Sequence, residues 1–176
     1  MQGAARNELP EDAASSTIDL NADGVTDRAC LSQVELVADN TINAWADGER
    51  VMITTAILDQ CRTDDELAFV IGHEMSHNIL HHRARLVADG VEMGLLPVSP
   101  AGSAKMRETE EEADRLAARI TSAAGYDLAQ AAPLIRRLLA PVERHGPAAE
   151  THPPSVRRLA MLKVAVAQLT GRPARH

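Results

Sequence analysis

The sequence predicts an α+β fold that is mainly helical and carries one small antiparallel β-sheet. Two β-prone runs on either side of Asp47-Gly48 indicate a hairpin in the first third of the chain. From residue 64 onwards, apolar residues recur at helical spacing in four successive segments. Aromatic residues make up only 2% of the chain, so Ala, Leu, Val, Ile and Met have to form the core, which favours closely packed helices.

Length and charge limit the domain organisation and the partners. A chain of 176 residues is expected to form one domain. Residues 1–17 are small and polar, so we expect disorder there and a folded domain over residues 18–176. The net charge of -7 argues against nucleic acid as a partner. No run reaches the ~18 apolar residues of a transmembrane segment, and the N-terminal residues lack the apolar stretch of a signal peptide. The protein is then either cytoplasmic or has a targeting segment outside this sequence.

The strands are predicted before the helices. Residues 33–39 alternate between apolar and polar side chains, as a half-buried strand does. Residues 41–46 and 50–55 form the two arms of the predicted hairpin. The strand around residues 51–54 is expected to present an edge on which an extended peptide can pair.

Four helices are predicted from residue 64 onwards. Thr63 or Asp64 can cap the first one, and Gly125 is a typical residue just after the end of the second. Gly and Pro are frequent between the first two helices and before the last, which indicates loops over 89–104 and 145–154. The predicted helices cover residues 64–85, 104–124, 128–144 and 155–170.

The first helix contains the sequence His73-Glu74-Met75-Ser76-His77. Residues four apart lie on one helix face, so both imidazoles can reach one ion at ~2.0–2.1 Å. Glu74 can reach a water at that ion without being a ligand itself. Two surface histidines on an amphipathic helix would be the plain structural reading, but the apolar neighbours Val70, Ile71 and Met75 imply burial.

A zinc site needs a third protein ligand. The second helix offers four glutamates, and a run of acids usually forms a solvated face. Glu110 and Asp114 are four residues apart and share a face, so they could serve as ligand and as the acceptor for a ligand imidazole. Glu111 and Arg115 could form an exposed ion pair instead. The four candidates are Glu108, Glu110, Glu111 and Glu112.

The two cysteines, Cys30 and Cys61, do not have the spacing of a zinc finger. Two interpretations are open. They can be two buried thiols, or one disulfide that closes a loop of about 30 residues and requires an oxidising compartment.

The sequence resembles a known family, the zincin-like zinc peptidases that include the CAAX prenyl proteases, HtpX and BepA. Five blocks carry the resemblance between residues 30 and 165, and they occur in the family's order. HExxH alone is shared by many families, whereas the ordered set is specific. The blocks are NAWADG at 43–48, DELA at 65–68 with GHEMSH at 72–77, RETEEEAD at 107–114, AGYD at 124–127 and THPPSVRRL at 151–159.

The resemblance implies a role for each matched residue. Glu110 takes the position of the third zinc ligand and Asp114 that of the residue behind a ligand histidine. His152 and Arg158 take positions near the cleft, where they would contact substrate, stabilise the oxyanion or close the site. His82 matches a recurrent histidine without a clear role. The membrane spans of some members are absent, so the likeness is to the soluble, stand-alone branch, which favours an extracytoplasmic location.

The sequence therefore predicts a zinc-dependent endopeptidase that acts on peptide or protein substrates, with Glu74 as the general base of a metal-activated water. Two other classes remain open. One is a zinc-containing but gated or inactive domain that acts as a binding or chaperone module. The other is a structural zinc site, although such sites usually use Cys and four protein ligands. The sequence makes no prediction of the oligomeric state.

Overall fold

The computed structural model describes residues 33–91, 99–145 and 155–170. The predicted disorder over 1–17, the predicted domain start at residue 18 and most of the predicted loop over 145–154 lie outside these ranges, and they stay predictions. The described residues belong to one compact unit. Within them, no helix combines the length and the apolar character that crossing a membrane requires.

The β-structure is a three-stranded sheet made of β1 (Gln33–Val37), β2 (Ala44–Ala46) and β3 (Arg50–Thr54). β3 is the central strand; it pairs antiparallel with β2 and parallel with β1. The predicted α+β class and the hairpin are confirmed. The prediction of a purely antiparallel sheet is wrong, because β1 runs in the same direction as β3.

The parallel pairing depends on how the chain passes from β1 to β2. The segment between them crosses the end of β3, where two hydroxyl groups hold it. Thr54 Oγ1 donates to the carbonyl of Thr41 at 2.7 Å, and Thr55 Oγ1 donates to the carbonyl of Asp39 at 2.8 Å. These bonds between side chain and backbone depend on tertiary structure, so a strand pattern alone does not reveal them.

The hairpin turn forms where the sequence predicts it. Gly48 has a φ of 109°, a conformation that favours glycine. The Asp47 carboxylate accepts hydrogen bonds from the backbone N–H groups of Glu49 and Arg50 at 2.9 and 2.7 Å. These backbone bonds lower the pKa of Asp47 to about 2, so the carboxylate that shapes the turn stays ionised.

The described residues form six α-helices where four were predicted, and several boundaries differ. A short helix after β3 was not predicted, the helix predicted over 64–85 is two helices, and the next one begins at Pro100 instead of residue 104. A 3-10 turn, Leu128–Gln130, precedes the fifth helix. The helices are α1 Thr55–Gln60, α2 Asp64–Ile79, α3 His82–Ala88, α4 Pro100–Ala123, α5 Ala131–His145 and α6 Ser155–Thr170.

The break between α2 and α3 lies at Leu80 and His81. His81 has a φ of 52°, the only positive φ of a non-glycine residue among the described residues. An α-helix cannot continue through a left-handed residue. The chain therefore changes direction there, and α3 begins with His82, whose side chain is buried.

The core is built mainly from small aliphatic residues, as predicted. Helix α2 packs along α4, and a Cβ atom at Gly72 would come within 3.3 Å of Thr121 Oγ1, so the two helices approach closely there. Of the three aromatic side chains, Phe69 is buried whereas Trp45 and Tyr126 are exposed. Two clusters of buried side chains result: Phe69, Ala117, Ala118, Leu128, Ala131, Ile135 and Leu162, and Val51, Ile53, Ile57, Val70 and Leu134.

Candidate metal centre

Three predicted ligands from α2 and α4 come together at one point. His73 Nε2 lies 3.2 Å from His77 Nε2. Glu110 lies 3.4 Å from His73 Nε2 through one carboxylate oxygen and 3.5 Å from His77 Nε2 through the other. Among the described residues, this is the one group of three or more metal-binding side chains close enough to hold an ion.

The spacing of these atoms fits a tetrahedral ion. Ligands at ~2.0–2.1 Å from a tetrahedral centre stand about 3.3–3.4 Å apart. The two imidazole nitrogens are 3.2 Å apart, and each lies 3.4 to 3.5 Å from the carboxylate of Glu110, through a different oxygen in each case. Two nitrogens and one oxygen suit a borderline-soft ion such as zinc. The residues present therefore fit a metal with three protein ligands.

Behind His73 lie a carboxylate and a guanidinium. His73 Nδ1 is 3.1 Å from Asp114 Oδ1, although the angle falls short of a regular hydrogen bond. Arg158 from α6 donates to both oxygens of Asp114, with its Nε at 2.7 Å. All three side chains are buried. The structure thus brings Asp114 and Arg158 to the site, and joins Arg158 to it through Asp114.

Behind His77 lies a longer series of side chains. His77 Nδ1 is 2.9 Å from His82 Nδ1, and His82 Nε2 is 3.0 Å from Glu112 Oε2. Arg85 donates to the same oxygen of Glu112 at 2.6 Å. His82 is 1% exposed, whereas the side chain of Arg85 is 48% exposed. Each ligand histidine is therefore backed by an acid and an arginine, but by different routes.

The electrostatics favour a cation between the ligands. Burial favours the neutral ring of His73, but Asp114 and Glu110 outweigh this effect and raise its pKa. Burial and the neighbouring His73 lower the pKa of His77. Burial also opposes ionisation of Asp114, yet His73 and Arg158 outweigh it and lower the pKa of that carboxyl. Without metal, these shifts favour a protonated, positively charged His73 and a neutral His77.

The four glutamates of α4 have four different environments. Glu110 faces the histidines, Glu112 binds His82 and Arg85, and Glu108 is exposed. Glu111 binds Arg157 at 2.6 Å, so its ion pair joins α4 to α6 and is not the predicted pair with Arg115. Of the four glutamates, only Glu108 therefore belongs to a solvated face.

A cavity of about 480 Å³ opens at the metal ligands. Glu74 lines it beside His73 and His77, and Arg158 lines it as well. The size is that of a small ligand or a few side chains of a peptide. Much of the wall is apolar and comes from α1, α2 and α5: Ile57, Phe69, Val70, Leu134, Ile135 and Leu138.

The strand that borders this cavity is β2, since Ala44, Trp45 and Ala46 all line it. β2 pairs on one side with β3, and no other described strand covers its second edge. The expectation that the strand at 51–54 presents the free edge is wrong, because β3 is paired on both sides.

The residue after His77 fixes the hairpin to the ligand helix, at the turn and at the first residue of β3. Asn78 Oδ1 accepts from the N–H of Gly48 at 2.8 Å, and Asn78 Nδ2 donates to the carbonyl of Arg50 at 3.1 Å. Sequence reasoning missed Asn78, because a polar residue in a helical segment does not by itself indicate a distant backbone partner. It also missed Arg85 and the contact of Glu112 with His82, since Glu112 was considered only as a candidate ligand.

Two predicted residues, His152 and Cys30, lie outside the described residues. The catalytic role of His152 and the disulfide between Cys30 and Cys61 therefore stay predictions. The Sγ of Cys61 lies 3.4 Å from the carbonyl oxygen of Ile57. Burial and the nearby Glu66 raise the pKa of this thiol to about 11.

The model of peptidase family M48 matches residues 23–105 and 95–166, which cover most of the chain and include every ligand candidate described above. The chain belongs to peptidase family M48. The mitochondrial metalloendopeptidase OMA1 of Schizosaccharomyces pombe is 28% identical over an alignment of 149 residues that covers 72% of this chain. The chain spans 44% of the length of that relative.

Membership of family M48 agrees with the coarse part of the resemblance, namely a metallopeptidase domain. The narrower likeness to the CAAX prenyl proteases, HtpX and BepA stays a prediction. So does the predicted role of each site residue.

Proposed function

We propose that the chain is a zinc-dependent endopeptidase, with His73, His77 and Glu110 as zinc ligands and Glu74 as general base. The observation that supports this most directly is the convergence of two imidazole nitrogens and the carboxylate of Glu110, with distances of 3.2 to 3.5 Å between them. The carboxylate of Glu74 borders the same cavity. Two histidines and one glutamate leave a fourth position of a tetrahedral ion for water or substrate, as catalytic zinc sites do.

The proposed reaction divides the chemistry between the metal and the protein. When bound, zinc lowers the pKa of water towards about 7 and polarises a carbonyl group. Glu74 accepts the proton of the attacking water and delivers it to the leaving amine. Asp114 holds His73, and Arg158 neutralises Asp114, so that the buried carboxylate does not remain unpaired. Any contact of Arg158 or His152 with the oxyanion belongs to this proposal.

The proposed substrate is a peptide in extended conformation that pairs with the free edge of β2. Backbone hydrogen bonds to a sheet edge bind a peptide without regard to its sequence. The apolar wall of the cavity then receives one of its side chains. A peptide on β2 lies across the cavity that Glu74 and the ligand histidines share, which would bring a scissile bond close to the general base.

The extracytoplasmic location is a further part of this proposal. The whole-length activity of the relative from Schizosaccharomyces pombe is not assumed, because the chain covers less than half of it.

The test compares zinc content with peptide hydrolysis in matched variants. We expect about one zinc per chain in the wild type, because one set of three ligands is present. Glu74→Gln should keep the zinc and lower kcat by about 10²-fold or more. His77→Ala and Glu110→Ala should lose both zinc and activity. Elemental analysis and digestion of a peptide library measure the two quantities.

Glu108→Ala is the control for Glu110→Ala, since Glu108 is an exposed glutamate on the same helix. It should retain zinc and activity. Equal zinc loss in both variants would contradict the assignment of Glu110. A wild type that binds zinc but cleaves no peptide would favour the gated binding module instead.

A further inference from the structure

His82 is a buried histidine that is not one of the three ligands. It lies between a ligand and a carboxylate: its Nδ1 is 2.9 Å from His77 Nδ1, and its Nε2 is 3.0 Å from Glu112 Oε2. The rings of His77 and His82 meet edge to face, at 78°. With 1% exposure, His82 is among the most buried polar residues described. Both of its ring nitrogens therefore have protein partners.

This contact exists because the helix breaks. In a continuous α-helix, a residue five positions further along is rotated by about 140°, which would turn His82 away from His77. The left-handed conformation of His81, with a φ of 52°, ends α2 and directs His82 back towards the site. Strained backbone at a functional site persists only where surrounding interactions hold it. The hydrogen bonds of His82 are such interactions.

The partners of His82 determine which nitrogen carries its proton. Glu112 offers only acceptor oxygens when ionised, so the Nε2 of His82 donates to it. In the neutral ring, Nδ1 is then an acceptor. The facing nitrogen, His77 Nδ1, must donate to it, because two acceptors 2.9 Å apart would repel each other.

The position of the proton on His77 decides whether its Nε2 can bind a metal. When His77 Nδ1 holds the proton, its Nε2 has a free electron pair. That atom lies 3.2 Å from His73 Nε2 and 3.5 Å from Glu110, at the point where the ligands converge. The opposite tautomer would place a hydrogen at Nε2 and could not bind a metal there.

We propose that His82 is the positioning residue of His77: its Nδ1 accepts a hydrogen bond from the N–H at Nδ1 of His77, and so keeps Nε2 of His77 available to the metal. Glu112 orients His82, and Arg85 fixes Glu112 through a 2.6 Å ion pair. This inference rests on the proposed zinc site and adds a residue that acts through a ligand and does not touch the substrate.

The test measures zinc affinity by competition with a chromophoric chelator. His82→Phe keeps an aromatic ring but removes the acceptor, and we expect zinc to bind about 10- to 100-fold more weakly. His82→Asn places an oxygen near the position of Nδ1 and should restore most of the affinity. His81→Asn is the matched control, because His81 is exposed and asparagine tolerates its left-handed backbone. It should bind zinc like the wild type.

The melting temperature of the metal-free protein separates positioning from folding. Equal zinc affinity of His82→Phe and wild type would overturn the proposal, as would an asparagine variant as weak as the phenylalanine variant. If the wild type itself binds no zinc, the proposed function fails. If the wild type binds zinc and His82→Phe binds it equally tightly, only this inference fails.

A second measurement needs no variant at all. Long-range 1H–15N correlation spectra of the zinc-loaded wild type report which imidazole nitrogens carry protons. We expect a proton on Nδ1 of His77 and on Nε2 of His82. A proton on His82 Nδ1 would overturn the proposal even if the His82 variants do not fold.

Discussion

The two proposed ligand histidines, His73 and His77, are four residues apart on one helix, yet the protein supports them in different ways. Behind His73, the carboxylate of Asp114 is in direct contact with the ring and is neutralised by the buried Arg158. Behind His77, a second imidazole stands between the ring and the carboxylate, and the series ends at the half-exposed Arg85. One support is short, buried and charged, and the other is longer and reaches the surface.

The difference separates two tasks. A direct carboxylate raises the basicity of a ligand ring and fixes its orientation. An interposed neutral imidazole fixes orientation and tautomer but keeps the negative charge further away. The buried support also connects α4 to α6, so it contributes to folding. The series behind His77 joins α3 to α4 at the surface and can change with less cost to the fold.

The largest expected effect is on stability, at the buried support. Asp114→Asn would leave the guanidinium of Arg158 buried without its counter-ion, which we expect to lower the free energy of unfolding by about 3–5 kcal/mol. Urea denaturation of the metal-free protein at neutral pH measures this loss. The double variant Asp114→Leu with Arg158→Met should lose less, because no unpaired charge remains.

A change of less than about 1 kcal/mol in the unfolding free energy of Asp114→Asn would contradict the difference between the two histidines. That result would mean that the Asp114–Arg158 pair behaves like an exposed ion pair.

A smaller effect on stability is expected behind His77, at the pair of Glu112 and Arg85. Glu112→Gln disrupts an ion pair whose members are 25% and 48% exposed, so we expect a loss of about 1 kcal/mol or less. Its zinc affinity should nevertheless fall, because His82 loses the carboxylate that orients it. Denaturation and chelator competition on the same samples give both values. A stability loss as large as that of Asp114→Asn would show that the supports do not differ.

The smallest expected effect is that of salt. Exposed charges are screened within a Debye length of about 10 Å at 0.1 M salt, whereas buried pairs are screened much less. A double-mutant cycle for Arg85 and Glu112 should therefore give a coupling energy that falls between low and high salt. The corresponding cycle for Arg158 and Asp114 should change little. Equal salt dependence of the two cycles would contradict the difference in burial.

The sequence was informative where chemistry depends on spacing along one helix. His73 and His77 share a face of α2, and Glu110 and Asp114 share a face of α4, because residues four apart always do. The meeting of these two faces was implied by the resemblance, which also assigned a position near the cleft to Arg158. The Ala-rich core and the hairpin at Gly48 likewise follow from local composition and turn geometry.

Other features depend on contacts between distant segments and could not be predicted. The parallel pairing of β1 is set by bonds of Thr54 and Thr55 to the crossing segment. The role of His82 was hidden because residues 64–85 were predicted as one helix, in which His82 would face away from His77. No glycine or proline indicates the break, since a histidine occupies the left-handed position.

The two hydrogen bonds of Asn78 have a mechanical consequence. They join the hairpin to α2 one residue after the proposed metal ligand His77, so β2 and this helix are expected to move together as a rigid body. A peptide aligned on β2 would then keep a constant distance to Glu74 whatever its sequence. Differences in side-chain size would have to be taken up by the opposite, apolar wall. The hairpin would thus determine which peptide bond lies next to Glu74, independently of the side chains of the substrate.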